Sequence, residues 1–124
     1  MAKVNWGIIG CGNIAHTFAK SIAHCANAQL IGAASTSEQR AKEFATHYSV
    51  KGYESYQALM QCPHIDAIYI ANTHAQHFKT IAQCLVHDKH VLSEKPITVN
   101  AQQLTTLNQL AEQQNCFLME GVWM

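Results

Sequence analysis

Val4-Asn5-Trp6-Gly7-Ile8-Ile9-Gly10-Cys11-Gly12-Asn13-Ile14-Ala15 is the stretch that decides the fold. An apolar run stops at two glycines, and apolar residues then return at Ile14, Phe18 and Ile22, four apart as one helix face requires. The pattern predicts a buried strand, a tight turn and a helix. In a G-x-G-x-x-A turn, Gly10 permits the strand-to-helix reversal and Gly12 lets a phosphate group approach the backbone without meeting a Cβ. Ala15 lets the helix lie close on the strand, and the unpaired N–H groups of its first turn point at the anion. Glycine-rich turns are common, so the motif reads as a dinucleotide seat only because it sits between a strand and a helix. A purely structural strand-to-helix turn is the alternative.

Composition narrows the field. The chain has 124 residues, enough for about one domain with its own core. Lys plus Arg and Asp plus Glu are balanced at 8 each. No basic field therefore favours nucleic acid, and no acidic field suggests a disordered tail. The opening residues form neither a signal-peptide core nor a bilayer-spanning run, which predicts a cytosolic chain without a membrane partner. Cys11, Cys25, Cys62, Cys84 and Cys116 are an odd, scattered set without C-x-x-C spacing, as expected of free thiols that fill small core spaces.

Outward from the opening turn, strand and helix signals alternate. A first helix is expected from about Asn13 to His24, then a strand over Leu30–Ala34. Ser37 is a good N-cap for a second helix through Arg40, Ala41, Phe44 and Ala45, with Glu38 placed favourably in its first turn. A minor strand is expected near Ser49–Tyr53. Ser55 then opens a short helix carrying Tyr56, Leu59 and Met60, which ends at Pro63. Asp66–Ala71 reads as a strand closed by the turn Asn72-Thr73-His74, and helical spacing resumes at Phe78, Ile81, Ala82 and Leu85. His90–Glu94 is a further strand running into Lys95-Pro96. Asn100 caps a helix with Leu104, Leu107, Leu110 and Ala111 on one face, and Cys116–Glu120 is a last strand before Gly121. Strands alternating with helices predict an α/β fold, a doubly wound parallel sheet with right-handed crossovers. No repeat or linker interrupts it, so residues 1–124 read as one domain.

In such a sheet the ligand lies beyond the carboxyl ends of the strands. Four segments are predicted there: Gly10 to Ala15, Ser35 to Ser37, Asn72 to His77, and Glu94 to Pro96. An NAD-binding turn usually places an acid roughly 20 residues past the glycines, on the ribose 2′-hydroxyl, and a 2′-phosphate repels it. Here Ser35, Thr36 and Ser37 occupy the turn, with Arg40 close by, which favours NADP over NAD. The same residues also serve as ordinary turn and capping groups. At the fourth segment a strand ending in Glu94-Lys95-Pro96 puts a cation at the ligand edge, with proline fixing the chain direction beyond it. Lys95 is then a candidate to bond a nicotinamide ribose and a substrate hydroxyl and to help move a proton. A surface lysine paired with Glu94 is the equal alternative.

Together, Gly-Cys-Gly-Asn-Ile-Ala at 10–15, Arg40 to Ala45, Ile68 to His77, Glu94-Lys95-Pro96 and Met119-Glu120 resemble the amino-terminal half of the glucose–fructose oxidoreductase and inositol dehydrogenase (Gfo/Idh/MocA) family. Dihydrodiol and xylose dehydrogenase-like members are the most similar. The resemblance covers essentially the whole chain in order. It implies a Rossmann domain that binds NAD(P), with hydride transfer to or from a sugar, polyol or similar alcohol carbon. It further implies phosphate binding at Gly10, Gly12, Asn13 and Ile14, and nicotinamide-side contacts at Asn72, Thr73, His74, His77 and Glu94. Lys95 takes a cofactor and catalytic role. Asn72-Thr73-His74 departs from the Thr-Pro-Asn common in the family. The family also continues into a second domain on an open antiparallel sheet that supplies most of the substrate pocket, whereas this sequence stops at Trp123-Met124. A small-molecule substrate is thus expected only where that domain is supplied. A non-catalytic nucleotide-binding module or truncated product is the alternative function, and an apolar end at Val122, Trp123 and Met124 suggests a homo-oligomer.

Other constellations are weaker. Eight histidines invite a metal, and His74-x-x-His77 has one-face helical spacing, yet the remainder fall in different segments with no shared carboxylate or cysteine spacing. No metal is expected. Cys11 lies near a helix N-terminus that favours a thiolate, but reads better as a small filler. Trp6 and Trp123 read as packing residues.

Overall fold

The computed structural model describes residues 3–72, 76–93 and 101–120. Six strands and five helices alternate in these segments: β1 Val4–Ile9, α1 Asn13–Ile22, β2 Ala28–Ala34, α2 Glu38–Tyr48, β3 Lys51–Tyr53, α3 Tyr56–Met60, β4 Ala67–Ile70, α4 His77–Val86, β5 His90–Ser93, α5 Ala101–Gln113 and β6 Leu118–Glu120. All neighbouring strands run parallel, in the order β3-β2-β1-β4-β5-β6. The chain winds outward from β1 in one direction and returns to wind outward from β4 in the other. The reversal between β1 and β4 makes a crevice at their carboxyl ends, the place where such sheets bind ligands.

A sheet covered on both faces needs strands that are apolar on both faces. β4 meets this fully, with Ala67, Ile68, Tyr69 and Ile70 all buried. Successive residues feed opposite cores. Ile8, Ala33 and Tyr69 pack with Phe18, Ile22 and Phe44 of α1 and α2. Ile9, Ala34, Ile68 and Ile70 pack with residues of α3, α4 and α5, among them Leu59, Ile81, Leu85 and Leu107. The centre of the first core is the Phe18 ring stacked on Tyr69, centroids 4.0 Å apart and planes 3° apart, with Trp6 edge-on to Phe18 at 5.2 Å. Offset and edge-on rings add about 1 kcal/mol beyond their burial.

Two predicted helix faces are corrected. Four-residue steps overshoot the helical turn by about 40° each, so Ile14, Phe18 and Ile22 drift around the helix rather than forming one face. The buried face of α1 is Ala15, Phe18, Ala19 and Ile22, and Ile14 is 48% exposed. On α5 Leu107 and Ala111 are buried and Leu110 packs at the margin, whereas Leu104 faces outward. The strand bounds also shift slightly: β2 begins at Ala28 and β6 is confined to Leu118–Glu120. The serine caps are in place. Ser37 Oγ accepts from the Arg40 N–H at 3.3 Å, and Ser55 Oγ accepts from Ala58 N–H at 3.0 Å. The cap at Asn100 lies outside the described residues.

Away from the crevice, Lys89 is nearly buried, and its ammonium donates to the carbonyls of Cys62 and Ile65 at 2.7 and 2.6 Å. It closes the carbonyl end of the α3 segment, as a cation at a helix C-terminus should. At the other edge, the ends of β1 and β4 are in direct backbone contact. Gly10 has φ +96°, and a Cβ there would sit 2.7 Å from the carbonyl carbon and oxygen of Ala71 and 2.9 Å from the Asn72 nitrogen. Gly10→Ala meets both backbone strain and an immovable neighbour. It is expected to lower folding stability by about 3 kcal/mol or more, read as a shift in urea midpoint at unchanged slope.

Candidate dinucleotide crevice

The first turn is locked from both sides. Gly10 N–H donates to the Ala34 carbonyl at the end of β2, 2.9 Å away, while Ala71 N–H of the β4 end donates to the Ile9 carbonyl at 2.8 Å. The Cys11 thiol also reaches the Ala34 carbonyl, at 3.6 Å. Burial pushes this thiol up to about 11, with the Arg40 guanidinium opposing. Cys11 is therefore a protonated space-filler, and Arg40 lies close enough to the glycine turn to act on it electrostatically.

Gly12 differs from Gly10. Its φ of −90° suits any residue, and a Cβ added to it meets nothing within 4 Å. Neither conformation nor any contact requires glycine here, and the backbone is left open to the crevice. Gly12 is the N-cap of α1 and has no side chain to satisfy the N–H groups of the first turn. Those donors and the positive end of the helix dipole face the crevice with Asn13 and Ile14, both exposed. An anion is the partner that satisfies such a terminus.

At the end of β2 the three hydroxyls divide their work. Ser35 is nearly buried, and its Oγ accepts from the Ser37 N–H at 3.3 Å. Ser37 caps α2. Thr36 is left exposed at the mouth, and Arg40 is exposed beyond it. No acid stands at this strand end until Glu38, which pairs with Lys42 at 3.3 Å.

Beyond β4, Asn72 is the hub of the next turn. Its Nδ2 donates to Thr80 Oγ1 at 3.0 Å and, more weakly, to Gln76 Oε1 at 3.4 Å. Its carbonyl lies 2.9 Å from His77 Nε2, and because a carbonyl only accepts, that nitrogen carries a proton. The His77 ring is wholly buried and supports the turn from inside. Asn72 Oδ1 is the buried side-chain acceptor that lacks a hydrogen-bond partner among the described residues. The Asn72 amide lies beside the Tyr56 hydroxyl, which burial raises above its ordinary value while Asn72 opposes. Thr73, His74, Glu94 and Lys95 lie outside the described residues.

Gly10, Gly12, Asn13, Ile14, Thr36, Arg40 and Asn72 thus share one edge of the sheet. A cleft of about 560 Å³ opens beside them. Thr36 and Ser35 form one wall, Tyr56 and Glu54 a second, and Lys79 and Thr80 of α4 a third. The sequence reading missed Glu54, Tyr56 and Lys79. Glu54 directly follows β3, so the strand-end rule applied to that short strand would have found it, whereas Lys79 comes from within a helix and carries no local signal. Among the described residues no three His, Cys, Asp or Glu side chains gather to hold a metal, no helix is long and apolar enough to cross a membrane, and the cysteines are free thiols.

The fold agrees with comparisons to known proteins. A family model described as an oxidoreductase family with an NAD-binding Rossmann fold matches residues 4–122. Trans-1,2-dihydrobenzene-1,2-diol dehydrogenase of Mus musculus is 36% identical, with 97% of this chain aligned to 37% of that protein. D-xylose 1-dehydrogenase (NADP(+)) of Hypocrea jecorina is also 36% identical, over 97% of this chain and 34% of its own. A 3-ketoreductase from Actinomadura kijaniata, solved with NADP and TDP-benzene, superposes with a TM-score of 0.92 at 31% identity, over 96% of this chain and 37% of that one. The chain spans about a third of the length of these relatives. It belongs to the Gfo/Idh/MocA oxidoreductase family, of which it forms the NAD(P)-binding Rossmann domain.

Proposed function

We propose that the chain binds the NADP form of the nicotinamide dinucleotide and is the cofactor half of an oxidoreductase acting on an alcohol carbon of a sugar, polyol or dihydrodiol. The observation that carries this reading is the uncapped N-terminus of α1 under an open Gly12, next to a β2 end that offers Thr36 and Arg40 and no acid. The first-turn N–H groups of α1 hold the pyrophosphate. Thr36 Oγ1 and the Arg40 guanidinium hold the 2′-phosphate, a charge-assisted contact that NADH cannot make. The NADP named for the Hypocrea enzyme and bound in the Actinomadura structure supports the preference.

Once bound, the dinucleotide supplies the hydride. The protein's own part is to fix the reacting ends and to handle the proton. Lys95, which follows β5 in sequence, holds a proton on Nζ for the oxygen of the carbon that changes oxidation state. Asn72, Thr73, His74 and Glu94 form the nicotinamide side, with His77 holding Asn72 in place. Residues 1–124 act as one cytosolic unit. Oxidation of NADPH by this chain with aldoses or dicarbonyls as acceptors tests the catalytic part of this reading, and turnover refutes a binding module without catalysis.

Calorimetric titration of the chain is expected to show NADPH binding about tenfold or more tightly than NADH, and tighter NADH binding overturns the assignment. Thr36→Asp is expected to reverse the order. Gly12→Val fills space that only a ligand uses, so it is expected to leave stability within about 0.5 kcal/mol while lowering affinity for both dinucleotides at least tenfold. Where turnover is seen, Lys95→Ala is expected to reduce it about 100-fold and leave the NADPH dissociation constant within about threefold.

A further inference from the structure

Two opposite charges line the cleft beside Thr36, and among the described residues neither makes a side-chain hydrogen bond or ion pair. Glu54 leaves the end of β3 and Lys79 sits in the first turn of α4; both are exposed and both line the cleft. Among the described residues the ion pair is Lys42 with Glu38, so Glu54 and Lys79 are not joined to each other. The groups near them are neutral amides and hydroxyls, with the half-buried Tyr56 as the aromatic surface. A carboxylate only accepts hydrogen bonds and an ammonium only donates them. A wall with one of each, set around an aromatic side chain, suits a flat heterocycle that has an amino group on one edge and ring nitrogens on another. It suits a second phosphate poorly, because Glu54 would repel it.

We propose that Glu54 makes this cleft selective for an adenine base over its deaminated counterpart, by accepting a hydrogen bond from the exocyclic amine while Lys79 donates to a ring nitrogen. The inference rests on the dinucleotide reading above and names what reads the base at its adenosine end. Hypoxanthine replaces the amine with a carbonyl oxygen. It therefore sets an acceptor against the Glu54 carboxylate and turns N1 into an N–H donor, yet keeps N3 and N7, the ring acceptors that Lys79 meets in this assignment. The two residues thus have separable signatures. Glu54 controls the ratio of the two affinities, and Lys79 contributes to both alike.

The test titrates the chain with NADPH and with its hypoxanthine analogue, deamino-NADPH. The wild-type chain is expected to bind NADPH about tenfold more tightly. Glu54→Gln, whose amide can donate to the carbonyl, is expected to bring the two within about twofold. Lys79→Gln is expected to weaken both and to keep their ratio. Glu54 is exposed and its side chain makes no bond among the described residues, so unchanged thermal melting of E54Q separates this effect from misfolding. Equal wild-type affinities, or a ratio that E54Q does not move, overturn the role of Glu54 and leave the dinucleotide reading standing. Failure to bind either compound removes that reading, and this inference with it.

Discussion

The backbone contact between Gly10 and the Ala71–Asn72 peptide is the constraint on which the crevice depends. β1 and β4 are the strands from which the two halves of the sheet wind away, so their carboxyl ends must diverge to make room for a ligand. They must also stay close enough to hold a parallel ladder as far as Ile9 and Ile70. A residue with no Cβ and a positive φ meets both demands, because it turns the chain out of the sheet within one peptide of β4. A side chain there would push the glycine turn off β4, and with it the start of α1.

The contact also couples the two turns. Gly10 and Cys11 both reach the Ala34 carbonyl, which ties the glycine turn to β2 as well. On the other side Asn72 bonds Thr80 and is held from beneath by His77. The open backbone at Gly12 therefore hangs from three strand ends, each fixed by hydrogen bonds that a ligand does not have to supply. Such preorganisation matters because bond energy spent on ordering a loop is lost to affinity. Asn72 Oδ1 is the exception within this frame, a buried acceptor without a hydrogen-bond partner among the described residues. Such an acceptor is a place where a ligand donor or an ordered water gains.

Much of this was legible in the residues. The strand–turn–helix stretch, the alternation of elements and the caps at Ser37 and Ser55 follow from local rules, and local rules hold where burial and hydrogen bonding act within a few positions. Ile14 was misplaced because spacing of four looks periodic in a short window, while the helix turns by less than that step. Leu104 shares a face with Ala111, seven residues on, but lies near the start of α5 and is left exposed. The burial of His77 was not legible for another reason: its environment is set by α4 packing onto β4 and by the Asn72 carbonyl, contacts that no spacing reveals. Glu54 and Lys79 met in the cleft only after three chain segments converged, which is long-range information. The roles of Lys95 and Glu94 rest on the sequence alone.

The charge balance explains why so much recognition is local. Equal numbers of acidic and basic residues give no net field to draw in a highly charged dinucleotide, so little of the selectivity can come from steering at a distance. At physiological salt, charges more than about 8 Å apart are largely screened in any case. On the function proposed above, discrimination resides in groups that touch: helix N–H donors for one phosphate, and Arg40 with Thr36 for a second. Glu54 and Lys79 put one negative and one positive charge on the walls of the cleft beside Thr36. A uniformly basic edge would bind any polyphosphate that fits. Alternating signs favour a ligand whose own donors and acceptors alternate to match, which is the signature of a nucleotide with its base attached.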